Sequence, residues 1–85
     1  MKKHRVLVVD DRKINLTMLS KILDSHYDVL LAENGEQALA LLRSEGSSIS
    51  AMLLDIIMPV MDGYAVLNAM KADAALPRIP VIVIS

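Results

Sequence analysis

Leu53-Leu54-Asp55-Ile56-Ile57-Met58-Pro59-Val60-Met61-Asp62-Gly63 decides how this chain folds. An apolar run stops abruptly at one carboxylate, Asp55, and a proline-bearing loop leads on to an Asp-Gly pair suited to opening a helix. A continuous apolar run of this length marks a strand covered on both faces, as in a parallel sheet. Asp55 then stands at the strand's carboxyl end, where a buried sheet meets solvent.

The same grammar extends in both directions. Upstream, Val6-Leu7-Val8-Val9 is a second apolar run, and it stops at Asp10-Asp11. A helix is expected over residues 12–24, with Ile14, Met18, Leu19, Ile22 and Leu23 at helical spacing and Asp10 or Asp11 as its cap. Residues 27–33 form a strand centred on Val29, Leu30, Leu31 and Ala32, broken by Asn34-Gly35. A second helix is expected over 36–45, with Ala38, Leu39, Leu41 and Leu42 apolar, and Gly46-Ser47-Ser48 ends it. Residues 51–54 are the strand that delivers Asp55. Asp62 caps a third helix over 63–72; Pro77 and Pro80 punctuate the next connection, and a fourth strand begins at Ile79 or Val81 and runs to Ile84. Strand and helix alternate throughout, which means an α/β fold with a parallel sheet. The chain stops on Ser85 with no helix after the fourth strand, which a doubly wound sheet would require.

Composition narrows the function. The chain has 85 residues, enough for one small domain. It is 54% hydrophobic with only 2% aromatic residues, so Leu, Ile, Val, Met and Ala must build the core. A net charge of −1 and the absence of a basic run give no electrostatic footprint for nucleic acid or an anionic membrane. Cysteine is absent, which excludes disulfides and thiolate metal sites. The apolar run behind Met1-Lys2-Lys3-His4-Arg5 is too short for a signal peptide or a membrane span, and a cytoplasmic protein is expected.

In an open parallel sheet, ligands bind beyond the carboxyl ends of the strands. Asp10, Asp11 and Asp55 all lie on that edge. If the first and third strands are neighbours, their tips are roughly 5 Å apart. Three carboxylates sharing a crevice oppose one another's ionisation, and a divalent cation relieves the cost. Mg²⁺ suits such a site because it takes carboxylate, carbonyl and water oxygens, with phosphate oxygens completing its shell. Ser85 ends the fourth strand on the same edge and offers a hydroxyl donor. A carboxylate, a metal and a hydroxyl are the parts that phosphoryl transfer to an aspartate needs.

With these residues in view, the chain resembles a receiver domain of a two-component response regulator. The resemblance is carried by Leu7-Val8-Val9-Asp10-Asp11 with Asn15, by Ala32-Glu33-Asn34-Gly35-Glu36-Gln37-Ala38, by the Asp55-to-Gly63 string and by Pro80-Val81-Ile82-Val83-Ile84-Ser85. It implies a flavodoxin-like doubly wound sheet, order 2-1-3-4 over the four strands and three helices present. It also implies that Asp55 accepts a phosphoryl group from a phosphohistidine on a sensor histidine kinase or phosphotransfer protein. Asp11, Asp55 and the main-chain carbonyl of Ile57 would bind Mg²⁺, Asp10 would act through water, and Ser85 would move toward the phosphoryl group. Any catalysis would be limited to self-catalysed phosphoryl transfer and autodephosphorylation. The family continues with a helix, a fifth strand ending in a phosphoryl-binding lysine, and a last helix, so residues 1–85 are expected to be a C-terminally incomplete receiver domain. Lys13 and Lys71 lie on helices and match no such lysine.

Simpler readings stand beside these. Asp62 is a helix cap rather than a ligand; Gly35 and Gly63 answer backbone needs at turns and helix starts. His4 and His26 are solvated surface residues, and Met58 and Met61 shape the loop. The apolar Ile57 side chain should orient attacking water poorly and so slow hydrolysis of an acyl phosphate. A competing function is association: a fourth strand left as an apolar edge invites a homo-oligomer with exchanged elements. A haloacid-dehalogenase phosphatase would want Asp-x-Asp at the first strand, where Arg12 takes the second Asp's place. No G-x-G-x-x-G follows that strand, which argues against a nucleotide or flavin module.

Overall fold

A computed structural model describes residues 3–76 and 78–84. Strands β1 (His4–Val9), β2 (Tyr27–Ala32), β3 (Ile49–Leu54) and β4 (Val81–Val83) alternate with helices α1 (Lys13–Leu23), α2 (Gly35–Glu45) and α3 (Gly63–Ala72), with a 3₁₀ turn at Gly46–Ser48. All pairings are parallel and the strand order is β2-β1-β3-β4, so the order in which strands are added reverses at β1 and β3 while their direction stays the same. That is the flavodoxin-like order implied by the family resemblance, with the switch point at the two strands that end in aspartate.

The period of two in each strand sorts the apolar residues onto two faces. Leu7, Val9, Ala32, Met52 and Leu54 pack with Ala38, Leu39, Leu42 and Val66 of α2 and α3. Val6 and Val8 pack with Leu16 of α1, flanked by Leu19, Leu23, Val29 and Leu53. Leu7 and Leu54 are fully buried, and each such side chain contributes about 1.5–3 kcal/mol through its removal from water.

The structure corrects several sequence expectations. Helix α1 presents Leu16, Leu19 and Leu23 to the sheet, while Ile14, Met18 and Ile22 form an exposed stripe at 68%, 54% and 65% exposure. Both sets have helical spacing, so periodicity alone did not choose between them. Neither Asp10 nor Asp11 caps α1; the N-cap is Arg12, which makes no side-chain cap bond. Asp10 instead accepts from the Arg12 N–H, two residues on, at 2.9 Å. Strand β3 begins at Ile49, earlier than its apolar run suggests, because Ile49 is buried while Ser50 points outward. A register irregularity between Arg5 and Val6 accommodates that extension.

Helix α2 starts at Gly35 under an Asn34 cap, whose carboxamide oxygen accepts from Gln37 N–H at 2.9 Å. Gln37 returns the favour to the preceding residue, accepting from Glu33 N–H at 2.8 Å. Asp62 caps α3 as expected, accepting from Ala65 N–H at 2.9 Å. Neither Gly35 nor Gly63 has positive φ, so conformational freedom is not their purpose. A Cβ on Gly35 would lie 2.7 Å from the Met61 carbonyl oxygen, and one on Gly63 would lie 2.6 Å from Ile56 Cα. These glycines exist for close approach of backbone to backbone. His4 and His26 are exposed, as read from sequence.

Candidate functional site

Main-chain ladder bonds run one step past the strands and fix the site. Val9 pairs with both Ala32 and Leu54. Beyond that rung, Asp10 N–H donates to Ala32 O at 3.1 Å and Asp55 N–H donates to Val9 O at 2.9 Å. Two neighbouring strand tips thereby carry Asp10 and Asp55 side by side. One carboxylate oxygen from each of Asp10, Asp11 and Asp55 lies within 4.8 Å of the other two. Asp10 and Asp55 are 2% and 5% exposed, and Asp11 is exposed, so the cluster is a buried pair with a solvent-facing third member.

Each buried carboxylate is held by the same local device. Asp10 Oδ1 accepts from Arg12 N–H and Asp55 Oδ1 accepts from Ile57 N–H at 3.1 Å, both bonds reaching two residues forward. Asn15 Nδ2 donates to Asp10 Oδ2 at 3.1 Å. Asn15 is the residue whose role the sequence left open. The signal was a carboxamide five positions after Asp10, on the first turn of α1.

The loop from Asp55 to α3 is tightly set. Met61 N–H donates to Pro59 O at 2.8 Å, and Val60 between them has φ 69°, which makes a γ-turn of positive φ. Gly63 N–H closes back on Ile56 O at 2.8 Å. Met58 is buried beneath the loop, whereas the Ile57 side chain is 79% exposed at the rim. Lys13 pairs loosely with Glu33 across the mouth, at 4.0 Å. A cleft of about 230 Å³ adjoins the acids on the α1 side, lined by Asp10, Asn15, Met18, Leu19 and Ile84. A larger hollow near the C-terminal end of α3 and the start of β4 is lined by residues outside the acidic cluster. Of the residues singled out from sequence, Asp10, Asp11 and Asp55 converge, Ile57 adjoins them, and Ser85 lies outside the described residues.

The donor set is chemically matched to a hard cation. Three carboxylates in one crevice repel by roughly 1–4 kcal/mol per pair at about 4 Å, between bulk water and an effective dielectric of 20. Oxygen-only ligation with few direct carboxylates is the habit of Mg²⁺.

Comparison with known proteins agrees with this geometry. The family model for the response regulator receiver domain matches residues 6–85. Protein PilH of Pseudomonas aeruginosa is 37% identical over 82 residues, and response regulator PleD of Caulobacter vibrioides is 39% identical over 82 residues. Each alignment covers 95% of this chain, but the chain spans 66% of PilH and 18% of PleD. Among solved structures, the N-terminal domain of a response regulator receiver protein from Methanoculleus marisnigri JR1 superposes with a TM-score of 0.85 at 33% identity, covering 95% of this chain and 65% of that one. The CheX-CheY-BeF3-Mg+2 complex from Borrelia burgdorferi gives a TM-score of 0.85 at 32% identity, with 96% of this chain and 61% of that one covered. The chain belongs to the response regulator receiver family of two-component signalling. Among the described residues, no helix is long and apolar enough to cross a membrane.

Proposed function

We propose that this chain is a phosphoacceptor module in which Asp55 takes a phosphoryl group from a phosphohistidine of a histidine kinase or phosphotransfer protein. The observation that carries the reading is the meeting of Asp10, Asp11 and Asp55 within 4.8 Å at the switch point of a parallel sheet. An oxygen of the Asp55 carboxylate attacks phosphorus in line with the donor nitrogen. The new O–P bond forms as the P–N bond breaks, and the imidazole nitrogen leaves as a neutral base or takes a proton from solvent. The Ile57 N–H holds Asp55 Oδ1 at 3.1 Å, which orients the carboxylate before attack.

Asp11, Asp55 and the Ile57 carbonyl would hold Mg²⁺, with Asp10 acting through water. The ion supplies positive charge against the incoming phosphoryl oxygens. Support for this assignment comes from the related complex with BeF₃ and Mg²⁺ named above. Ser85 is proposed as a hydroxyl donor to the phosphoryl group. Phosphoryl acceptance and slow self-hydrolysis are the whole of the proposed chemistry.

The test is incubation with acetyl phosphate and MgCl₂, followed by intact mass. A gain of one phosphoryl group in the parent chain and none in Asp55→Asn is the expected result. Equal labelling of both would remove the assignment.

A second reading, self-association of the 85-residue chain, is favoured by one feature. Strand β4 is an edge strand among the described residues, and its Ile82 and Val83 are exposed.

A further inference from the structure

We infer that Asn15 is a positioning residue that sets which divalent cation the acidic site accepts. The inference deepens the proposed cation site and rests on that reading. Asp10 is buried, and each of its carboxylate oxygens is already engaged: Oδ1 by Arg12 N–H at 2.9 Å and Oδ2 by Asn15 Nδ2 at 3.1 Å. One donor is main chain and the other belongs to α1, so the carboxylate is clamped between two separate elements. A carboxylate tied at both oxygens cannot turn about its Cβ–Cγ bond to give both of them to one ion.

The clamp on Asp10 discriminates between cations. Ca²⁺ takes about 6–8 oxygens at roughly 2.3–2.6 Å and commonly recruits carboxylates through both oxygens, while Mg²⁺ demands octahedral geometry at roughly 2.0–2.1 Å and keeps several waters. A clamped Asp10 withholds the extra oxygen that Ca²⁺ would recruit and leaves the smaller ion unaffected. Without the Asn15 donor, Oδ2 is released toward the adjoining cleft lined by Asn15, Met18, Leu19 and Ile84, and the carboxylate regains its rotation. Partners that orient metal ligands from outside typically change affinity by about 10–100-fold when removed.

The experiment is a pair of NMR titrations of the ¹⁵N-labelled 85-residue chain with MgCl₂ and with CaCl₂. The amide signals of Arg12 and Ile57 are followed, since both N–H groups bond site carboxylates. For Asn15→Ala, the ratio of the Ca²⁺ to the Mg²⁺ dissociation constant should fall about tenfold relative to the parent. Asn15→Leu, which lacks the donor but keeps the side-chain volume, should show the same fall. A general loosening of the fold would weaken both ions by one factor and leave the ratio alone. An unchanged ratio in both variants overturns the role of Asn15 while sparing the cation site. If neither variant keeps the dispersed spectrum of the parent, the bond is a folding requirement and the inference is overturned. A parent chain whose signals respond to neither ion overturns the cation reading and this one together.

Discussion

Gly35 and Gly63 carry the packing of the site at the level of single atoms. A methyl group on Gly35 would press on the Met61 carbonyl, Met61 Cγ and Val66 Cγ2; one on Gly63 would meet Ile56 and the Asp55 carbonyl. Backbone cannot yield as a side chain can. Gly35→Ala and Gly63→Ala should therefore each lower stability by about 1–3 kcal/mol, read from the midpoint of urea unfolding, despite alanine's better helix propensity. Gly63→Ala is expected to be the worse, since its contacts include two main-chain atoms of the Asp55 loop. Val60 has the opposite character. Its φ of 69° is unfavourable for a β-branched residue, so Val60→Gly should not lower the midpoint, relief of about 1–2 kcal/mol of strain offsetting glycine's entropy. The sequence pointed to both glycines but for the wrong reason. Close approach is a property of two segments meeting, and Met61 lies far from Gly35 along the chain. Asp10, Asp11 and Asp55 were legible because the Asp10-Asp11 pair and Asp55 each follow an apolar run, which places them on one edge without any knowledge of contacts. The Asn15 clamp was not legible, since a carboxamide on the first turn of a helix has many possible partners. At the rim, the exposed Ile57 side chain offers no polar group to orient an attacking water. The acyl phosphate of Ile57→Ala should consequently decay faster than that of the parent, measured as loss of the phosphorylated mass over time.

Helices and strands were readable to the extent that their signals are local. Asn34 and Asp62 each accept a bond from the third residue of the helix they cap, and Asn34→Ala or Asp62→Ala should cost about 0.5–2 kcal/mol. Chemical denaturation of the two variants, compared with the parent, reads this directly. The α3 boundaries follow from the cap at one end and the loss of apolar spacing at the other. The orientation of α1 was not available in the same way. Ile14, Met18 and Ile22 recur every four residues, as strongly as Leu16, Leu19 and Leu23 recur on the other side, and only the sheet decides which stripe is buried. Ser50 likewise disguised the start of β3. Its outward side chain interrupts the apolar run, while the backbone continues in the ladder.

For the molecule as a whole, the alternation of strand and helix fixed the fold class, and the order β2-β1-β3-β4 brings the acid-bearing strands together. The same sheet leaves β4 at its margin, with Ile82 pointing to the side where α1 exposes Ile14, Met18 and Ile22. Parallel edges of this kind recruit other chains. Sedimentation of the 85-residue chain should show concentration-dependent association, and Ile82→Lys should shift it toward monomer. A monomer at all concentrations would remove the self-association reading without touching the site.

Strand pairing sets Asp55 beside Asp10 and Asp11, and the proposed chemistry requires Asp55 to be the reactive one. The most direct measurement is exposure of the chain to acetyl phosphate and MgCl₂, borohydride reduction of any aspartyl phosphate to homoserine, and peptide mass spectrometry to place the modified residue. Homoserine at position 55, absent when MgCl₂ is omitted, is the predicted result. Modification at Asp10, Asp11 or Asp62 in its place, or labelling indifferent to the cation, would contradict it.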